Sequence, residues 1–559
     1  MSWRKRLFAN PFNTDTADDD EKQLSKEHGP ETYKAVTRQP PATRGELWGY
    51  YLYYNGDNGY TIFGYMPTIL QILAYRGGFD PSNGTKCDLQ NALKPCNVRW
   101  MNVENGIPVS SMMLYVQAIS FSIQFLLFTT FGSLADYGRW NRHILLIATV
   151  IGCASQIVPI ALVDDDGSHW GAMMGIFIVA LISYGTSLVF FAAAFPNLSD
   201  NLPVVRKARL TLPKEQAIQV VELWRNHVSA ISTTFSNIGF LILSGVLSGV
   251  SFLPWAGKYD FPPDTDPTLG NAPIFNFIST VVCGAFWAVN AIPYFLLQPR
   301  GRQGLPLPKN ESHITIGWKS IIMALKEIRK LRYSFMYIVS YFMFSDAIST
   351  INQMTSIIQG EVVSFSAQLL TLYGLITAIT SIMGCLLFLW IQKQFKVKTK
   401  TNLLIIIVTT AIVPIWGCFG ISMDNFGLKT PWEMWVFSVW SGLFTAPIWA
   451  WQQTMLAELI PKGKENLFFG LFGVVNKASS WIGPVVVGAI SQATGNIWTG
   501  WPFVLGLFVV ATAILLFIDV DKAKEAVRQY ELEHEQMEQD SATAKYLASQ
   551  DVKVEEYKK

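Results

Sequence analysis

Three ionisable residues stand inside otherwise apolar stretches of the sequence: Asp57, Asp346 and Lys477. A charge at the centre of a bilayer costs at least ~2.5–3.5 kcal/mol on insertion scales, so each one asks for a reason. At ~1.5 Å rise per helical residue, all three fall ~15–20 Å into their stretches, near a midplane. A carboxylate there can take up and release a proton. A lysine there can neutralise such a carboxylate or receive the acid group of a solute. A fixed ion pair, or bonds to neighbouring backbone, would explain the same residues with no solute at all. Uncharged polar residues accompany them: Asn55, Asn58, Asn237, Asn352, Gln353, Gln452 and Gln453. In lipid such groups also hold helices together, and that is the commoner role for any one of them. The candidate substrate and proton pathway is Asp57, Asn58, Asn237, Asp346, Gln452 and Lys477.

The elements that must position these groups are set by composition. The chain has 559 residues, half of them hydrophobic, with 36 Phe, 20 Tyr and 19 Trp but only 15% charged. Soluble chains carry about 25% charged residues. The apolar residues are gathered into runs long enough to cross a bilayer as helices, at 46–75, 109–131, 144–163, 169–195, 229–253 and 274–297, then at 333–358, 366–391, 402–422, 432–459, 467–491 and 499–518. The expected fold is an all-α membrane protein of twelve transmembrane helices in two six-helix halves, 46–297 and 333–518, joined by a central loop over 298–332. Residues 1–45 carry Asp18-Asp19-Asp20-Glu21 and lack an apolar signal core, so they read as a disordered tail; residues 519–559 read as a second, charged tail. The partners are the lipid bilayer and a small solute. A net charge of +2 argues against nucleic acid.

Lys and Arg set the orientation. With the N-terminus inside, the inner loops hold 21 of them and the outer loops 6, which puts both tails in the cytosol. The first outer loop carries the sequon Asn83-Gly84-Thr85 and also Cys87 and Cys96. Glycosylation and a disulfide both fit an oxidising lumen; two free thiols and an unused sequon are the alternative. Gly56 and Gly59 allow a bend beside Asp57. Pro196, Pro447 and Pro484 are expected to interrupt the fourth, tenth and eleventh spans, and Gly245 with Gly249 to let the fifth pack closely.

The loop after the second span reads Gly132-Ser133-Leu134-Ala135-Asp136-Tyr137-Gly138-Arg139-Trp140-Asn141-Arg142. It resembles the loop motif of the major facilitator superfamily, in which Gly132, Asp136, Gly138, Arg139 and Arg142 would form a gating latch on the cytosolic side. The second half has no such pattern at Gln392-Lys393-Gln394-Phe395-Lys396. A narrower resemblance covers most of the chain. Glu46-Leu47-Trp48-Gly49-Tyr50-Tyr51, Tyr341-Phe342-Met343-Phe344-Ser345-Asp346, Glu458-Leu459-Ile460-Pro461-Lys462-Gly463 and Asn476-Lys477-Ala478-Ser479-Ser480-Trp481-Ile482-Gly483-Pro484 occur in the order found in the autophagy-related protein 22 family. That resemblance implies a vacuolar membrane protein that releases amino acids such as leucine, isoleucine or tyrosine into the cytosol, with protons as a possible coupling ion. The chain departs from the family at Asn237-Ile238-Gly239-Phe240 and at Tyr54-Asn55-Gly56-Asp57. Those departures leave open a paralogue that moves another organic solute at the plasma membrane, or a non-transporting receptor or scaffold.

No Gly-rich phosphate loop, nucleophile elbow or metal-ligand spacing is present in the sequence. The expectation is therefore no cofactor, no metal and no enzymatic activity.

Overall fold

The computed structural model describes residues 39–87, 94–131, 140–163, 165–251, 272–299, 312, 315–362, 367–395, 397–461, 465–530 and 532–533. The first apolar stretch is not one helix. It forms α1 (Arg44–Gly56), a short α2 (Tyr60–Phe63) and α3 (Tyr65–Gly77). Thr43 caps α1 by accepting from the Glu46 amide at 3.1 Å, a standard way to satisfy a free helix-end donor. A two-stranded ribbon, β1 (Asn97–Val98) with β2 (Ile107–Pro108), leads into α4 (Val109–Phe131). The rest of the first half is α5 (Trp140–Ile157), α6 (Trp170–Asp200), α7 (Pro203–Thr211), α8 (Lys214–Ser251) and α9 (Ala272–Leu297). An amphipathic helix, α10 (Thr315–Lys330), joins the halves.

The second half comprises α11 (Arg332–Val362), α12 (Ala367–Phe395), α13 (Thr399–Phe419), α14 (Pro431–Trp440), α15 (Ile448–Leu459), α16 (Glu465–Ser479), α17 (Ile482–Thr494) and α18 (Trp501–Leu516). A last helix, α19, spans 520–530. It buries Ala523, Val527 and Tyr530 and ties itself down by ion pairs from Lys398 to Asp521 (2.9 Å) and from Lys524 to Glu458 (3.0 Å).

Among the described residues, nine helices are long and apolar enough to cross a bilayer. The other three expected spans, the first, tenth and eleventh, are broken. The first bends beside Gly56 and Gly59, and the tenth and eleventh break close to Pro447 and Pro484, as their residue types lead one to expect. The tenth passes through a π-helical turn at Ser441–Thr445 just ahead of Pro447, and the eleventh breaks between Ser479 and Ile482. The fourth span does not break: α6 runs through Pro196 to Asp200. Gly245 and Gly249 form no packing seam either, since a Cβ at either would meet nothing within 4 Å.

Within the first half α1 packs on α8 and α9, and α6 on α4 and α5; within the second, α18 lies against α11 and α13. The halves meet where α4 faces α16 and α17, where α8 faces α12 and where α3 faces α11. Cys87 and Cys96 form a disulfide with Cα atoms 5.6 Å apart, which marks the disulfide face of the molecule. The cross-half hydrogen bonds seen among the described residues lie toward that face: Tyr65 to Thr371 (2.8 Å), Gln71 to the Ile357 carbonyl (3.3 Å) and Tyr115 to Gln492 (2.7 Å).

Two loops on the disulfide face are tightly clasped. Asp165 accepts from the Gly167 amide at 2.6 Å and pairs with His169, while Arg76 donates to its carbonyl at 2.9 Å. In the second half Glu433, fully buried, accepts from Trp416 and from the amides of Gly427, Leu428, Lys429 and Thr430. Gly427, at φ 98°, permits the turn that aims these amides inward.

Candidate functional site

The break in the first span is built by its own residues. Asn58 bridges it, donating to the Asn55 carbonyl (3.0 Å) and accepting from the Tyr60 amide (3.1 Å). Gly59 takes a left-handed φ of 75°, a conformation that costs little only without a Cβ. Any side chain there would also strike the Tyr184 hydroxyl. Asn58 thus spends both ends of its amide on the backbone of its own span.

Asp57 sits at this break, 2% exposed. Its Oδ2 accepts from Ser187 of α6 at 2.7 Å, and its Oδ1 is buried with no hydrogen-bond partner. Buried polar atoms are nearly always bonded, so such an orphan stands out. The carboxylate follows the C-terminal end of α1, the end of a helix that favours cations. Chemically it can carry a proton or accept an N–H from an ammonium. Asn55 anchors the break from another side, donating to the Phe235 carbonyl of α8 at 2.8 Å. The close approach of α8 is made at Gly239, where a Cβ would run into the Asn55 carbonyl.

Asp346 occupies a different environment. It lies on the unbroken α11, also 2% exposed, and its Oδ1 accepts from the Gly483 amide at 3.0 Å. Gly483 is in the first turn of α17, and a helix N-terminus stabilises an anion. One residue back, the Ser345 hydroxyl accepts from Asn476 at 2.7 Å. Asp346 therefore docks the second half-helix of the eleventh span onto the seventh.

Lys477 pairs with neither acid. Its Nζ lies 5.6 Å from the ring centre of Phe121 and 6.0 Å from that of Phe128, both on α4 of the other half. Cation–π attraction of this kind favours a desolvated ammonium, and the last turn of α16 supplies the negative end of a helix as well. The three intramembrane charges are thus separately housed; of the two roles open to Lys477, pairing with Asp57 or Asp346 is not made here, and its neighbours are two aromatic faces.

Of the remaining candidates, Gln452 is buried on α15 with its side-chain Oε1 unbonded, while its carbonyl accepts from Tyr337 at 2.6 Å. Asn237 is exposed on α8, two residues from the face that meets Asn55. Gly132, Asp136, Gly138 and Arg139 lie outside the described residues. Arg142 is described, and it donates to the carbonyls of Phe295 (2.7 Å) and Gln298 (3.4 Å), capping the end of α9. Asn83 is exposed, and its Oδ1 accepts from the Thr85 hydroxyl at 2.7 Å. The tyrosines of α1 are packing residues: Tyr53 is fully buried and stacks on Phe191.

Sequence reasoning missed Ser187 and Tyr184, and it quoted Gly239 and Gly483 within longer runs without foreseeing their contacts with Asn55 and Asp346. Ser187 and Tyr184 sit in the run Ser183-Tyr184-Gly185-Thr186-Ser187, where a polar cluster inside an apolar span was the available signal.

Two bundles joined by an amphipathic connector, with broken spans and buried charges near mid-depth, define a membrane transporter of the major facilitator type. The solved structures agree on the fold. A peptide transporter POT in complex with sulfate is 13% identical with a TM-score of 0.53, over 89% of this chain and 99% of that one. A POT family transporter in complex with 5-aminolevulinic acid is 12% identical with a TM-score of 0.52, over 86% and 98%.

The chain belongs to the family described as vacuole effluxer Atg22 like, which matches residues 42–528. Among its relatives, autophagy-related protein 22 of Cryptococcus neoformans is 27% identical, over 83% of this chain and 95% of the relative. That of Yarrowia lipolytica is 25% identical, over 76% and 78%.

Proposed function

We propose that this transporter moves amino acids of the leucine, isoleucine and tyrosine type from the vacuole to the cytosol after autophagic degradation, with a proton travelling in the same direction. The observation that carries the reading is Asp57: a buried carboxylate at a broken helix, one oxygen held by Ser187 and the other unpartnered. Broken helices near the midplane are where secondary transporters bind solute and coupling ion. Asp57 is the group that exchanges a proton or meets the ammonium of the solute. Gln452, with its own orphan oxygen, and the exposed Asn237 line the path. Asn58 shapes it, and Asp346 holds the eleventh span in register. Lys477 bridges the halves through Phe121 and Phe128 and exchanges that contact as they rock.

In this reading the disulfide face is luminal, a placement supported by the excess of Lys and Arg on the other side, the Cys87–Cys96 bridge and the exposed sequon at Asn83. The hydrogen bonds Tyr65–Thr371 and Tyr115–Gln492 then close the vacuolar side. The loop carrying Gly132, Asp136, Gly138, Arg139 and Arg142 latches the cytosolic side, with Arg142 fixed to the end of α9. An acidic lumen drives export whenever solute and proton move together.

The departures beside Asp57 and Asn237 favour a second reading, a carrier for another small organic solute at the vacuolar or plasma membrane. Melting and uptake of the purified full chain against the amino acids at pH 5 and pH 7 separate the two. Amino-acid-dependent stabilisation and uptake support the first; uptake of a different solute alone overturns it. Removal of residues 1–38 and 534–559 leaves a transporter active and silences a scaffold.

A further inference from the structure

The connector α10 carries more apolar surface than its packing uses. At ~3.6 residues per turn its side chains divide into three strips. One holds Ile316, Ala324 and Ile328 and is buried against the helical core. The second holds Trp318, Ile322 and Leu325, which are 39%, 50% and 37% exposed, and ends on Arg329, whose guanidinium lies 6.0 Å from the Phe335 ring centre. The third holds Lys319 and Lys326, also exposed, with Met323, 58% exposed, between them and Lys330 beside them pairing with Glu327 at 3.1 Å. A helix facing water on its outer side would present polar residues there.

The position of α10 says what covers the second strip. Trp318 donates to Thr130 at 3.2 Å and packs edge-on against Phe125, both at the end of α4 away from the disulfide face. Thr130 is one residue from the end of that membrane-spanning helix, and Leu126 and Phe131 beside it are exposed. The apolar strip therefore continues the lipid-facing surface of α4 at the boundary of the bilayer. The stretch from 315 to 332 holds Lys319, Lys326, Arg329, Lys330 and Arg332 against a single acid, Glu327.

We propose that α10 lies in the plane of the membrane surface, with Trp318, Ile322 and Leu325 in the acyl–headgroup boundary and Lys319 and Lys326 on anionic phospholipid headgroups. Apolar burial combined with basic attraction is how in-plane helices bind such a leaflet. The connector between the two halves is thereby a lipid contact, whatever solute the protein carries. With the proposed orientation, that leaflet is the cytosolic one.

The full chain, with Cys153, Cys283, Cys385 and Cys418 changed to serine, is reconstituted in nanodiscs of phosphatidylcholine with and without a quarter of phosphatidylserine. Spin labels are placed singly through Ile322→Cys, Leu325→Cys and Lys326→Cys. Labels at 322 and 325 should collide several-fold more with oxygen than with a water-soluble nickel chelate, and the label at 326 should show the reverse. Phosphatidylserine should raise the melting midpoint of the otherwise unaltered chain, and Lys319→Gln with Lys326→Gln should remove at least half of that rise. Water-like accessibility at 322 and 325, or an undiminished phosphatidylserine effect in the double variant, overturns the proposal.

Discussion

Asp57 and Asp346 look equivalent in the sequence, each on the first span of its half, yet their surroundings divide their roles. The Gly483 amide satisfies Asp346 at a helix N-terminus, so an uncharged acceptor should serve nearly as well there as a carboxylate. Asp346→Asn should keep folding and the pH dependence of transport, whereas Asp346→Ala leaves a buried N–H unbonded, at a cost of about 1–3 kcal/mol. Melting of both variants checks this, and equal damage from the two would contradict it. Outside the membrane, partial burial would raise the pKa of Asp165, but hydrogen bonds from His169 and from the Gly167 amide outweigh it and hold the carboxyl below its usual range. A depressed value contributes stability that is present above the unfolded carboxyl pKa of ~3.9 and is lost only as pH falls through the folded one. The corner joining Arg76 to Asp165 should therefore persist at pH 5. Asp165→Asn should lower the melting midpoint at pH 5 as well as at pH 7; a cost that vanishes at pH 5 would refute the assignment.

At the level of elements, the breaks distinguish this bundle from twelve plain rods. The π-helical turn of the tenth span is seated in α12 by reciprocal small residues. A Cβ on Gly442 would strike the Thr380 hydroxyl, and one on Gly384 would strike the Leu443 carbonyl. Gly442→Val and Gly384→Val should each separate α12 from that turn and lower the yield of folded protein, while Gly245→Val, with open space around it, should be tolerated. Comparable losses in all three would remove the special status of that seam. The span positions were legible in the sequence because crossing a bilayer demands only a long apolar run. The contacts that hold the breaks were not, since they depend on partners distant in the chain. Asp57 meets Ser187 across 130 residues, and Asp346 meets a backbone amide that no residue type announces. Glycine and proline gave partial signals: Gly59 and Pro447 do mark breaks, but Pro196 lies inside a continuous helix. The Glu433 clasp escaped notice for the same reason, because its donors are mostly main-chain amides.

At the scale of the molecule, the two halves are tied together on the disulfide face by Tyr65–Thr371, Gln71–Ile357 and Tyr115–Gln492. Alternation between two openings requires those contacts to part. A disulfide formed between Gln71→Cys and Ile357→Cys should stop transport and restore it on reduction, each single variant remaining active; transport that continues with the cross-link closed would deny that this face opens. The charges assigned to the pathway do not meet in one cluster, and Lys477 instead sits on Phe121 and Phe128 across the interface between halves. In the function proposed above, proton exchange falls to Asp57 alone. The most direct measurement compares the unaltered chain with Asp57→Asn in proteoliposomes, following labelled leucine both in equilibrium exchange and in net uptake driven by a pH gradient. The account predicts that Asp57→Asn keeps exchange but loses the gradient-driven component, whereas full gradient-driven uptake in that variant would contradict it.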